Sequence, residues 1–262
     1  MFREKMVTPA IPERVYTLCK IVEKKPISSS ELKDKMEPDY LNQTTSYYSD
    51  YRSAAEELKL ISISDNVVSL AVDPRIIKST ATMRKYVNGM LEEFQNGQFY
   101  QVTKAYFALD SSILKGEKNV ATLAPLIAQK INRPVDATAM RAWRFWVSFL
   151  GFGYLQDMFM IPNANVFLND IISMGGFEKD RRYSFGEFIS RILPYSQIII
   201  DSDPSSRRLN YGVSNGLRSL HDSGIIKLEH ILDQEDIWNL YPLKAHAISG
   251  TVTNITICKE EV

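Results

Sequence analysis

The sequence predicts a mainly α chain with short β-hairpins, because three stretches pass from helix-spaced apolar stripes into short alternating strands. They are "AAEELKLISISDNVVSLAV" from Ala54, "MRAWRFWVSFLGFGYLQDMFMIPN" from Met140 and "LNYGVSNGLRSLHDSGIIKLEHILDQEDIWNLYPL" from Leu209. Helical segments precede each stretch and connect one to the next.

The first unit opens with Pro12 to Glu23, which carries Val15, Leu18, Cys19 and Val22 on one face. Ser28 to Ser30 supply a cap for a short helix that turns Leu32 and Met36 inward. A third helix over Thr45 to Lys59 is expected to bury Tyr47, Tyr51, Ala54 and Leu58, and Asp65-Asn66 to turn the hairpin. "DPRIIKSTATMRKYVNGMLEEF" reads as a helical connector.

In the middle, Phe99 to Leu114 and Thr122 to Ile131 read as helices. Met140, Trp143, Val147 and Leu150 form the next stripe, followed by two short strands around Gln156-Asp157. In the last unit Ser184 to Leu193 is helical and Ile198 to Ile200 reads as an added strand. Leu209, Val213, Leu217 and Leu220 form its stripe, which Gly224 ends. Strands are expected at Ile225 to Ile231 and Ile237 to Tyr241, around "DQED". Pro74, Gly175 and Gly176 mark the boundaries, giving segments 9–73, 74–182 and 183–262.

The chain has 262 residues, 45% of them apolar, which is enough for two or three small domains. Lys plus Arg is 31 and Asp plus Glu is 31, so the whole chain presents no field that selects nucleic acid, acidic substrates or an anionic membrane. Cys19 and Cys258 lack metal-ligand or CxxC spacing. With no long apolar run and no signal-like N-terminus, a cytoplasmic protein without a membrane partner is expected.

Three helices and a hairpin over Pro12 to Val72, joined at "EELKLISIS", resemble the winged-helix family, in which a two-stranded wing closes a helix-turn-helix. The resemblance implies tandem winged-helix-like modules around a helical middle. Segment 9–73 would be a winged-helix domain, 74–182 a helical domain with a degenerate copy, and 183–262 a winged-helix-like domain. In this family the third helix commonly lies in the DNA major groove.

Catalytic signals are sparse. Asp201 and Asp203 in "IIIDSDP" follow an apolar run and form a D-x-D that a Mg²⁺-dependent nuclease uses, but the same residues make a turn and helix cap. His221, His230 and His246 lack zinc-site spacing, "GFGY" lacks a phosphate-loop pattern, and no serine sits in G-x-S-x-G. The expectation is a non-enzymatic protein without a cofactor.

The third helix of each unit is the expected place for binding residues. Segment 9–73 holds 8 basic and 11 acidic residues, Tyr183 to Cys258 holds 6 and 8, and Pro74 to Arg182 holds 14 and 9. In the first unit Gln43, Thr44, Thr45, Tyr48 and Arg52 are candidate donors, beside Asp50, Glu56 and Glu57. In the middle unit Lys130, Arg133, Arg141 and Arg144 gather around the third helix, with Arg141 and Arg144 one turn apart and off the apolar stripe. In the last unit Arg207, Arg208 and Arg218 are expected to contact phosphates, and Ser214 and Asn215, beside Asn210, to read bases.

"RFWVSFLGFGYLQDMFMIPNANVFLNDII" resembles accessory proteins of the DpdG type, encoded beside bacterial defence or DNA-modification enzymes. That resemblance implies a DNA-binding or adaptor subunit, with double-stranded DNA and an ATPase or nuclease chain as partners. The alternative is a protein-binding subunit resembling the tandem winged-helix, kleisin-interacting proteins of SMC complexes, which pair with themselves as homodimers.

Overall fold

Regular structure begins with α1 (Pro12–Val22), which has proline in its first turn and buries Val15, Leu18, Cys19 and Val22, as the spacing predicts. These positions come from a computed structural model that describes residues 1–3, 5–41, 45–115, 119–201 and 204–259. Gln43, Thr44 and Asp203 lie outside the described residues. β1 (Ile27–Ser28) leads into α2 (Ser29–Met36), capped by Ser28 Oγ accepting from the Glu31 amide at 3.2 Å. α3 (Tyr48–Glu57), β2 (Ile61–Ser64) and β3 (Val67–Leu70) complete the first unit. Asp65 and Asn66 both take positive φ, which the tight turn between β2 and β3 requires. β3 lies between β1 and β2, antiparallel to both.

One phase shift separates the expected third helix from the observed one. Tyr47 caps α3 with φ −108° and ψ 3°, outside the helical phase, and stays 39% exposed, whereas Tyr48 is buried. The Glu37 carboxylate holds this approach by accepting from the Tyr47 amide at 3.0 Å and Ser46 Oγ at 2.8 Å. Tyr48 is therefore core and no candidate donor.

A 3₁₀ turn at Pro74–Ile77 leads to α4 (Thr80–Met90), which a reciprocal capping box between Ser79 and Thr82 opens. α5 (Gln98–Phe107), α6 (Ala124–Ile131), α7 (Ala137–Phe149), β4 (Gly153–Gln156) and β5 (Phe159–Pro162) form the middle unit. α5 ends earlier than expected because Asp110 takes φ 54° and residues Asp110–Lys115 wind as a 3₁₀ helix. Asn119 makes a single parallel bridge to Met158, beside β5. A bridge thus occupies the chain position that β1 holds in the first unit.

The last unit contains α8 (Asn165–Ile172), β6 (Arg182–Ser184), α9 (Phe185–Ser196), α10 (Tyr211–Asp222), β7 (Ile226–Glu229), β8 (Trp238–Asn239), β9 (Thr251–Val252) and β10 (Asn254–Ile257). Its main sheet runs β6-β10-β7, antiparallel throughout. The succession α8-β6-α9-α10-β7-β10 therefore repeats α1-β1-α2-α3-β2-β3, with the same strand order in the sheet. α8 packs on α10 and α9, so this unit draws on residues before 183.

Two strand expectations are corrected. Ile198 to Ile200 form a buried turn after α9, where the Ile199 and Ile200 amides return to the Ser196 carbonyl at 3.0 and 2.8 Å. Ile237 to Tyr241 does not pair with Ile225 to Ile231: only β8 forms there, and it pairs with β9. β7 instead takes β10, because Ile255 and Ile257 are buried opposite Leu228 and Ile226, whereas Ile237 is exposed. Residues 230–250 become an excursion between the two strands.

Buried apolar side chains from all three units form one continuous core. At its N-terminal side the Phe2 ring lies 4.8 Å from Trp146 and 5.0 Å from Phe99, and Trp146 Nε1 donates to the Ala10 carbonyl at 2.5 Å. Among the described residues no helix is long and apolar enough to cross a membrane.

Candidate nucleic-acid interface

The candidate surface centres on α7, whose start is fixed by Asp136 Oδ1 accepting from the Ala139 amide at 2.7 Å. Met140, Trp143, Val147 and Leu150 are fully buried, so the opposite side of the helix faces water. On that side Thr138 and Arg141 are exposed, and Arg141 has no ion pair or hydrogen bond among the described residues. Its whole guanidinium fork is open to an incoming anion.

Arg144 and Arg133 are more committed. Arg144 is half-buried: Nη1 donates to the Asp157 carbonyl at 3.2 Å and meets Met158 Sδ at 2.7 Å, while the guanidinium lies 4.7 Å from the Phe145 ring centroid. It braces α7 against the β4–β5 turn, and its buried Nε has no hydrogen-bond partner. Arg133 donates to the Asn96 carbonyl at 3.2 Å. Lys130 is exposed at the end of α6, and Tyr154 and Leu155 project from β4 at 49% and 37% exposure.

α10 departs furthest from the expectation. Ser214 and Arg218 are buried, not presented to solvent, and only Asn215 keeps partial exposure. Ser214 Oγ accepts from the Tyr241 amide at 2.8 Å and donates to the Leu209 carbonyl at 3.3 Å. Arg218 donates to the carbonyls of Ile248, Tyr241 and Ser249 at 2.9, 2.7 and 3.1 Å, so its charge pins the 240–250 loop. Desolvation lowers its pKa, against the opposing pull of Asp222. Both residues are removed from the expected DNA-contact set, because each is enclosed and bonded to backbone.

No protein-family model, curated protein or solved structure matches this chain.

Before α10, Arg207 and Arg208 are exposed but occupied: Arg207 Nη1 donates to the Glu235 carbonyl at 2.8 Å, and Arg208 Nη2 reaches Asp110 Oδ2 at 3.1 Å. Asp110 also accepts from the Tyr211 amide at 2.6 Å and, with Asn210 Oδ1 on the Val213 amide, caps α10. On α3 the exposed positions are Ser49, Ser53 and Glu56, while Arg52 is half-buried and donates to Ser29 Oγ at 3.1 Å.

Asp201 is exposed and lines a cleft of about 250 Å³ with Lys104, Asp110 and Arg208. Among the described residues no group of three His, Cys, Asp or Glu side chains is placed to hold a metal. Lys104 on α5, and Arg84 and Lys85 on α4, stand in no sequence motif that marks them. For α10 a signal was present. Gly212 and Gly216 in "YGVSNGLRSL" are four residues apart on one helix face, which marks a helix approached closely by its neighbours.

Proposed function

We propose that this protein is a non-enzymatic subunit that contacts duplex DNA through α7 and the β4–β5 hairpin, within an architecture of winged-helix-like units. The architectural reading is supported by the recurrence of one chain order and one strand order in the sheets β1-β3-β2 and β6-β10-β7. The functional reading is carried by Arg141, an exposed cation with no partner among the described residues on the third helix of the middle unit, with Arg144 one turn on and Arg133 near the start of that helix. α10 contributes rigidity, and Arg207 and Arg208 form a second, weaker cationic edge. Catalysis in a defence or DNA-modification assembly would come from an ATPase or nuclease on another chain.

Fluorescence anisotropy with a labelled duplex of about 20 base pairs, titrated over a range of salt concentrations, tests this reading. Arg141→Glu is expected to weaken binding about tenfold, and Arg141→Ala to reduce the salt slope by about 1. Unchanged affinity and slope in both variants would overturn it.

A second reading, a protein-binding adaptor that pairs with itself, is favoured by one observation. Tyr40 and Leu41, between α2 and α3 of the acidic first unit, are 81% and 72% exposed. A concentration-dependent dimer that Leu41→Glu abolishes, with no duplex binding at low salt, would replace the first reading with this one.

A further inference from the structure

We propose that the exposed face of α4 is a docking groove for an acidic, amphipathic peptide segment of a partner protein. This surface is separate from α7 and does not depend on DNA binding. Two hollows, of about 700 and 560 Å³, meet at Thr82 and Lys85 on α4. The floor of the larger is apolar, built from Ile76, Tyr86, Met90 and Met174. Two of these are methionines, whose flexible thioethers adapt to different inserted side chains.

Gly89 keeps the middle of the larger hollow open. A Cβ added there would meet only the Sδ and Cε of Met174, at 3.3 Å. The hollow accordingly has room for side chains recurring every third or fourth residue on a bound helix.

Charge defines the occupant. The two carboxylates in the walls are already matched: Asp73 by Arg75 at 2.6 Å and Asp170 by Arg84 at 2.8 Å. The Arg75 hydrogen bonds hold the Asp73 carboxyl down at about 2, so it stays ionised and paired. The cations left over are Lys85, which lines both hollows, and Lys259, at the rim of the smaller. Both are exposed and neither has an ion pair among the described residues. One ammonium group at the wall of the apolar floor, and a second across the adjoining hollow, suit a segment that sets carboxylates beside apolar side chains. A nucleic-acid backbone offers nothing to fill that floor.

The test uses the full chain and a panel of fluorescein-labelled amphipathic peptides about four helical turns long, with Leu, Phe or Met at helical spacing and Glu between them. A matched panel carries Lys in place of Glu. Acidic peptides are expected to bind and their lysine counterparts not to bind. Lys85→Glu should weaken the acidic peptides about tenfold, and Gly89→Leu, which fills the hollow, should weaken them with less dependence on salt. Circular dichroism establishes that both variants fold.

Equal binding of the two panels, or folded variants that bind acidic peptides as the parent does, would overturn the proposal. So would displacement of peptide by duplex DNA with Lys85→Glu weakening both alike, which makes the groove a nucleic-acid surface. A concentration-dependent mass increase that Gly89→Leu removes would make the occupant a second copy of this chain.

Discussion

The guanidinium of Arg84 meets the buried carboxylate of Asp170 with two parallel bonds, Nε to Oδ2 at 2.8 Å and Nη2 to Oδ1 at 3.1 Å. Asn88 Nδ2 adds a third contact to Oδ2 at 2.8 Å and a further one to the Leu150 carbonyl at 3.1 Å. One carboxylate on α8 thereby anchors the connector helix α4 and, through Asn88, the end of α7. It joins the helix that opens the last unit to the helix that carries Arg141.

Removing one partner of this pair is expected to cost more than replacing both. Arg84→Ala leaves Asp170 charged and mostly enclosed, at a cost of about 3 kcal/mol, moderated by the partial exposure of Arg84. Arg84→Met with Asp170→Leu removes the charge problem and should recover most of the loss. Urea denaturation of the parent, Arg84→Met, Asp170→Leu and the double variant closes the cycle and gives the coupling directly. Additive losses would show that the pair does not act as a unit.

How legible this pair was depends on what sequence spacing encodes. Val15, Leu18, Cys19 and Val22 in α1, and Met140, Trp143 and Val147 in α7, are buried because a helical period reports one face of one element. Arg84 and Asp170 are 86 residues apart, and no local pattern joins them. Strand partners show the same limit. Proximity in sequence pairs β7 with the nearer segment at Ile237, and no strand is expected at β10; burial of Ile255 and Ile257 opposite Leu228 and Ile226 decides the pairing. On α10 polarity misled: Ser214 and Arg218 look like surface donors, yet backbone carbonyls and amides of the 240–250 loop consume them. The exposure of Arg141 was legible because it stands off a stripe that is entirely apolar.

Cys19 should make stability fall with rising pH. Burial pushes its thiol up to about 12 from an ordinary value of 9.0. The folded chain therefore keeps a proton that the unfolded chain releases, so this contribution is full below pH 9 and is lost as pH rises toward 12, by about 1.4 kcal/mol per pH unit at most. Denaturation at pH 8 and pH 10 should show the parent losing stability relative to Cys19→Ala. A constant difference between them would contradict the burial argument.

Arg218→Met separates a structural role from a DNA-binding one. Three carbonyls lose their donor, so the 240–250 loop should become protease-sensitive and stability should fall by about 3 kcal/mol. Duplex affinity, measured on protein that remains folded, should not change. An affinity loss without loop opening would return Arg218 to the interface.

Gly216 and Gly89 make opposite predictions for one substitution. At Gly216 an added Cβ would lie 2.8 Å from both the Ala164 carbonyl carbon and the Asn165 nitrogen, which are backbone atoms at the start of α8. Backbone cannot step aside cheaply, so Gly216→Ala should cost about 1–3 kcal/mol even though alanine is the better helix former. At Gly89 the nearest atoms are the mobile end of Met174, so Gly89→Ala should leave stability unchanged or raise it by up to about 1 kcal/mol. Thermal melts of the two variants side by side check both. If Gly216→Ala is tolerated as well as Gly89→Ala, α10 is not clamped against α8, and the enclosure that withdraws Ser214 and Arg218 from the surface fails with it.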